Sequence, residues 1–269
     1  MLRFSGAGVS DVGLVREHNE DSGFVGPYVA LVADGVGGAA AGEVASATAA
    51  YVVSATALAR FGHDPAAIVR EAVTAARTVL RRGVLEEDAR TGMATTLSVL
   101  VCDGHRVLLG HLGDSRAYVW RDGVLHQVSR DHTYVQRLVD EGRLTREQVP
   151  FHPWRNVVLR TLDGNPEAEP VEADLVDVDV RPGDRMLLCS DGLTDLVAED
   201  RIATVLRLQD PLSAAAVLTQ SALAAGGRDN VTCVVLDVVE GPLVVGDGQL
   251  LGAVRDVTNI VDPGAVRLG

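Results

Sequence analysis

A chain of 269 residues that is 47% hydrophobic is long enough to bury a sizeable core and too apolar to be disordered by composition. Its formal net charge of −13 argues against generic attachment to nucleic acid or to an anionic membrane, and suits either plain solubility or the holding of divalent cations. All 24 basic residues are arginine, so any phosphate held here by a cationic side chain is held by a planar fork able to form two parallel hydrogen bonds.

The N-terminal MLRFSGAG has no apolar core of signal-peptide length. YVALVA (28–33) reads as a buried strand, and the alanine-rich stretch 41–60 as a helix. A second helix is predicted over 64–88, with Asp64 as N-cap and Pro65 at its first position. A meander follows: 94–102 and 105–112 flank Asp103–Gly104, and 115–120 and 124–128 flank Asp122–Gly123, both strong hairpin signals. Residues 131–165 are more polar, with a short helix near 133–141 and a proline-containing loop. RMLLCS (185–190) is a strand, 192–207 and 211–225 are helical patterns, and VTCVVLDV (231–238) is the last strong strand. Consecutive hairpins imply antiparallel sheet, and grouped helices imply layers outside it. The division expected is a catalytic domain over 1–239 and a loosely attached tail over 240–269. Cys102, Cys189 and Cys233 each sit in an apolar run, as small buried hydrophobes do in a reducing compartment. No stretch approaches 18 uninterrupted apolar residues, so the expectation is a soluble, cytoplasmic protein with no membrane span.

Asp-Gly occurs six times, at 34, 103, 122, 163, 191 and 247, and a turn is the ordinary reading of each. Asp34 and Asp191 differ in context, because each follows an apolar strand and precedes a helical block. An acid there ends a buried strand at the rim of a sheet, a rigid place for a ligand. Asp229, in GGRDN, lies just before the strand 231–238. If that strand pairs antiparallel with 185–190, Asp191 and Asp229 become neighbours, and Asp34 could join them from a facing strand. Carboxylates gathered at one edge repel, so either their pKa values rise or cations bind between them. Oxygen ligands without a histidine cluster favour Mg²⁺ or Mn²⁺ over Zn²⁺. Two such ions roughly 3.5–4 Å apart can share a water and lower its pKa. Arg16 is the candidate cation for a phosphate beside them, against the plain alternative of a surface arginine. Glu20 and Asp21 could touch the metals directly or through water, or form a solvated pair.

SDVGLVREHNEDS (10–22), VADGVGGAAAGEVAS (32–46), GMATTL (92–97), HLGDSRAY (111–118), LLCSDGLTD (187–195) and GGRDNVT (226–232) together resemble, in order, the motifs of the metal-dependent protein phosphatases, or protein phosphatase type 2C. The resemblance implies an α+β fold, a four-layer αββα sandwich with two antiparallel sheets between helical layers. It implies a serine/threonine protein phosphatase, a hydrolase that attacks phosphoserine and phosphothreonine esters with a hydroxide bridging two Mg²⁺ or Mn²⁺ ions. Asp34 would bridge the ions, the Gly35 carbonyl would bind one, and Asp191 and Asp229 would complete the first site. Glu20 and Asp21 would act mainly through metal-bound waters, Arg16 would hold the phosphate, and Asn230 would orient Asp229 or its water. Asp114 is similar to the acid that binds a weaker third ion, with Asn156 a possible further ligand. Implied partners are phosphorylated proteins, among them a serine/threonine kinase and its substrates, in signalling.

The sequence departs from the family at Ala39, where many members have a histidine that can protonate the leaving alkoxide. The nearest downstream histidine is His63. General-acid help is worth roughly 10²–10⁴-fold, so a working but slower enzyme is expected. Residues 131–165 match the family's flap, in which Trp154 either packs beneath the loop or faces a substrate protein. A non-catalytic binding protein of the same fold and a hydrolase of small phosphorylated metabolites are the competing readings.

Overall fold

The structure, a computed structural model, describes residues 1–36, 41–208, 210–246 and 248–264. The chain runs β1 (Leu2–Asp11), β2 (Asp21–Val25), β3 (Val29–Val36), α1 (Gly42–Ala59), α2 (Pro65–Glu86), β4 (Ala94–Thr95), β5 (Leu97–Cys102), β6 (Val107–Leu112), β7 (Arg116–Arg121), β8 (Val124–Gln127) and α3 (Tyr134–Asp140). It continues through β9 (Leu162–Asp163), β10 (Asp174–Val178), β11 (Arg185–Cys189), α4 (Asp191–Thr194), α5 (Glu199–Val205), α6 (Pro211–Ala224), β12 (Val231–Glu240) and β13 (Gln249–Gly252). Among the described residues the strands form two antiparallel sheets. One is ordered β1-β12-β11-β7-β8. The other is ordered β10-β6-β5-β3-β2-β13, with β4 and β9 attached beside β3.

Side chains alternate across a strand, so a strand buried on both faces serves two cores. On β3, Ala30 and Val32 point into the space between the sheets, while Val29 and Leu31 pack against α1 and α2. On β12, Val234, Leu236 and Val238 fill the same inter-sheet core, while Cys233 and Val235 pack against α6. Three stacked cores result: helix on sheet, sheet on sheet, and sheet on helix. This is the expected four-layer sandwich.

Asp64 caps α2 by accepting the Ala67 N–H at 3.1 Å, with Pro65 first in the helix. Asp122 and Gly123 form the two-residue β7–β8 turn, both with positive φ (53° and 88°), the pattern Asp-Gly supplies. Two expectations, the single helix over 192–207 and the loose tail, need correction. The helix foreseen over 192–207 is two short helices, α4 and α5, separated around 195–198. The first 25 residues hold two strands that carry no strong apolar run, because β1 (LRFSGAGVSD) is glycine-rich and earns its place through pairing with β12 along its whole length. The tail is not loosely attached: β13 pairs with β2, and Leu251, Ala253, Val254 and Ile260 are buried. No helix among the described residues is long and apolar enough to cross a membrane.

Candidate active site

Asp34 lies near the end of β3, and its backbone is held on one side by the 94–96 segment. Its N–H donates to Thr96 Oγ1 (2.9 Å), and its carbonyl accepts from the Thr96 N–H (2.8 Å) and Thr95 Oγ1 (3.0 Å). On its other side Asp21 of β2 is its direct cross-strand partner. Glu20 immediately precedes β2. Gly35 follows Asp34, and a methyl added there would come within 2.3 Å of Gly42 O and 2.8 Å of Glu20 O. A methyl on Gly42 would come within 3.1 Å of both Glu20 Oε2 and Gly35 O. Only bare backbone fits there, and it leaves the Glu20 carboxylate and the Gly35 carbonyl facing the same small space.

The second sheet supplies the facing wall. β11 and β12 are antiparallel, with Cys189 opposite Cys233, so the end of one strand lies beside the start of the other. Asp191 opens α4 directly after β11, and Asp229 sits just before β12. The two stretches touch: a methyl on Gly192 would meet Asn230 O at 2.0 Å. Ser190 bridges the sheets by donating to Asp21 Oδ2 (2.7 Å) while accepting the Thr232 N–H (2.9 Å). Asp114 enters from the turn between β6 and β7.

The acids are close enough to set one another's charge. Burial pushes the Asp34 carboxyl well above the usual carboxylate range, and Asp21, Asp191, Asp114 and Asp229 add to the rise. Asp191 is raised in the same way by burial, then by Asp114, Asp195 and Asp229. Both keep some accessible surface at the cleft, yet the surrounding protein removes enough water to disfavour their charged forms. Burial raises Asp21 to about 6 despite the Ser190 hydrogen bond, and raises Asp114 to about 7 with Asp131 second. Glu20 is raised by burial and then by Glu43.

Asp21 is fully buried, and its Oδ1 has no hydrogen-bond partner. An orphaned carboxylate oxygen in a cluster of like charges, beside a glycine cradle with an open carbonyl, is a donor set suited to a hard divalent cation. Among the described residues, no three carboxylate, imidazole or thiolate side chains already stand around a common point as a metal cage. The acids are gathered without being closed on one another.

Arg16, in the loop between β1 and β2, donates to Asp229 Oδ2 at 2.8 Å, a bond that raises its own pKa. Asp229 Oδ1 accepts the Asn230 N–H (2.8 Å). The Asn230 side chain reaches the other way: Oδ1 accepts the Glu20 N–H (2.7 Å), and Nδ2 donates to Val12 O and His18 O. Asn230 therefore meets Asp229 through its backbone and clamps the Arg16–Glu20 loop with its amide. A cleft of about 730 Å³ opens beside these groups, lined among others by Asp114, Asp191, Asp195, Asn156, Arg155 and Arg228. Trp154 is 57% exposed at the flap surface, edge-on to Tyr134 at 5.3 Å. Ala39 lies outside the described residues, and His63 bonds Arg60 O in the turn after α1.

Sequence reasoning missed Asp195, Ser190, Thr96 and the cleft arginines Arg155 and Arg228. Asp195 was the findable one: it stands four residues after Asp191, the spacing that puts two side chains on one helical face. Ser190 and Thr96 act by hydrogen bonds across sheets, which no local pattern signals.

The sequence profile described as "Protein phosphatase 2C" matches residues 17–225. The chain is 44% identical over 240 residues to the serine/threonine protein phosphatase PstP of Mycobacterium tuberculosis, covering 89% of this chain and 46% of the relative, and so spans about half the length of that protein. It is 33% identical over 245 residues to the serine/threonine phosphatase stp of Listeria monocytogenes, covering 85% of this chain and 93% of the relative. The crystal structure of the M. tuberculosis phosphatase superposes with a TM-score of 0.82 at 43% identity, covering 88% of this chain and 100% of that one. The catalytic domain of PstP in complex with two manganese ions superposes at 0.79 with 42% identity, covering 89% and 100%.

Proposed function

This chain belongs to the protein phosphatase 2C family, and from that premise we propose that it is a metal-dependent phosphatase hydrolysing phosphoserine and phosphothreonine in other proteins. The observation that carries the reading is the meeting of Asp34, Asp21, Asp191, Asp114 and Asp229 at one cleft, with a buried Asp21 oxygen left without a partner. Such a cluster is expensive as bare protein and becomes favourable when cations sit within it.

The residues take these roles. Asp34 and the Gly35 carbonyl would hold Mg²⁺ or Mn²⁺ from the first sheet with support from Glu20 and Asp21, and Asp191 and Asp229 would hold it from the second. Asp114, with Asn156 across the cleft, would serve a weaker third ion. When bound, the ion pair supplies a shared water of lowered pKa as nucleophile and offsets charge on the phosphoryl oxygens. Arg16 releases Asp229 and grips two phosphate oxygens, which fixes phosphorus in line for attack. Asn230 keeps Arg16 in reach by holding the 12–20 loop. With Ala39 at the expected histidine position, proton delivery to the alkoxide falls to water. Ala39→His is therefore expected to speed turnover of an alkyl phosphomonoester, within the roughly 10²–10⁴-fold scope of general-acid help. The natural partners would be phosphoproteins, including a serine/threonine kinase and its targets. The deciding experiment is phosphate release from a phosphopeptide panel with Mn²⁺, with and without EDTA, beside small phosphorylated metabolites. Equal or better turnover of the metabolites, or release unaffected by EDTA, would sink the proposal.

A further inference from the structure

The turn that carries Asp114 is held from two sides. Gly113 has φ of +102°, and a methyl there would lie 2.5 Å from Thr96 Cγ2, so the turn is pressed directly onto Thr96. Thr96 Oγ1 accepts the Asp34 N–H (2.9 Å) and pairs with Ser115 Oγ (2.8 Å). That side ties the turn to Asp34. On the other side a single residue takes both backbone groups of Gly113. The His132 N–H donates to Gly113 O (2.8 Å), and the Gly113 N–H donates to His132 Nδ1 (3.1 Å).

The second bond fixes the imidazole. A backbone N–H can only donate, so Nδ1 is bare and the ring proton sits on Nε2. Nε2 then donates to Asp174 Oδ2 (3.0 Å). Arg160 Nη1, 2.8 Å from Nε2, is a second donor aimed at the same carboxylate and reaches Asp174 Oδ1 at 2.7 Å. The His132 carbonyl accepts the Leu159 N–H (2.7 Å). The side chain is only 8% exposed, so water does not replace a lost bond cheaply. One residue thus joins the Asp114 turn, the return of the flap at 159–160, and β10.

We propose that His132 is a positioning residue: by accepting the Gly113 N–H while donating to Asp174, it sets Asp114 at the cleft and couples that setting to the flap. The inference rests on the reading that Asp114 serves the site, and it predicts that the two ring nitrogens matter unequally. His132→Asn keeps an acceptor near Nδ1 and loses the link to Asp174. His132→Gln keeps a donor near Nε2 and loses the acceptor for Gly113.

The test uses the full chain and two readouts: amide hydrogen exchange of Gly113, with a β11 amide as reference for global opening, and steady-state turnover of a phosphopeptide with Mn²⁺. In His132→Gln the Gly113 amide is expected to exchange about tenfold faster, the loss of one hydrogen bond, with the β11 amide unchanged. The kcat is expected to fall by a similar factor with little change in KM. In His132→Asn both quantities should stay within about threefold of the parent, a contrast that simple loss of packing would not produce. Equal Gly113 exchange in the two variants would overturn the inference, as would accelerated exchange with unchanged kcat. If the parent protein releases no phosphate at all, the reading of the site fails, whereas the exchange contrast still decides whether His132 holds the turn.

Discussion

Asp21 on β2 stands directly opposite Asp34 on β3 in the antiparallel register. Like charges in that relation destabilise a sheet, and here Asp21 is fully buried and Asp34 half-buried. The arrangement is a local cost held in place by the rest of the fold, and on the proposed reading bound ions would offset it. Asp34→Asn keeps the shape and removes the charge. In EDTA it is expected to raise Tm by a few degrees, since about 1 kcal/mol moves a chain of this size by roughly 2–4 °C. With Mn²⁺ the same variant is expected to lose more than about 100-fold in phosphate release, beyond the usual effect of altering an outer ligand partner. A variant both less stable in EDTA and fully active would contradict the assigned role.

The same acids predict a pH dependence of opposite sign to ordinary acid denaturation. Asp114 at about 7, and Asp34 and Asp191 well above the usual range, bind protons in the folded state that the unfolded chain has already released. Stability therefore falls as pH rises through their folded values. Buried His111, lowered to about 4, and His132, also lowered by burial, act the other way, and their effect fades over about a unit above the ordinary histidine value of 6.5. Between pH 6.5 and 8 the two histidines oppose weakly and the three raised acids outweigh them. Metal-free protein should melt lower at pH 8 than at pH 6.5, and Mn²⁺ should raise Tm more at pH 8. Thermal scans at the two pH values check both signs.

Trp154 is exposed rather than packed beneath the flap, and Phe151 (87%), Val157 (43%) and Leu159 (44%) are exposed around it. An aromatic and apolar patch on a loop beside the cleft suits contact with a protein substrate. Trp154→Ala is expected to raise KM for a phosphoprotein by about 5–30-fold, the range of a lost interface anchor, and to leave p-nitrophenyl phosphate kinetics alone. Equal loss on both substrates would instead assign the ring to holding the flap through Tyr134.

The C-terminal segment is structural. Leu251 of β13 joins the inter-sheet core, and its Cδ1 lies 2.3 Å from where a Cβ on Gly8 would be, so it fills space that glycine leaves. Leu251→Ala is expected to cost about 2–4 kcal/mol, read as a lower urea midpoint at unchanged slope. A cost below about 0.5 kcal/mol would restore the picture of a loose tail.

Much of this molecule was legible locally. Asp64 and Pro65 announce the start of α2, Asp122–Gly123 announces a tight hairpin, and the apolar runs at 28–33, 185–190 and 231–238 announce strands, because each depends only on a residue and its near neighbours. The choice of Asp34 and Asp191 from among many acids also came from local context, strand before and helix after, and that of Asp229 from its place just before the strand 231–238. What the sequence could not decide was every relation made across the fold. That Asp21 faces Asp34, that Ser190 joins the sheets, that Asn230 clamps the loop beside Glu20, and that residues 249–260 complete a sheet rather than trail from it depend on strand pairing between positions far apart in the chain. Such pairing is set by how three cores fill together, a property of the packed whole that no single segment carries.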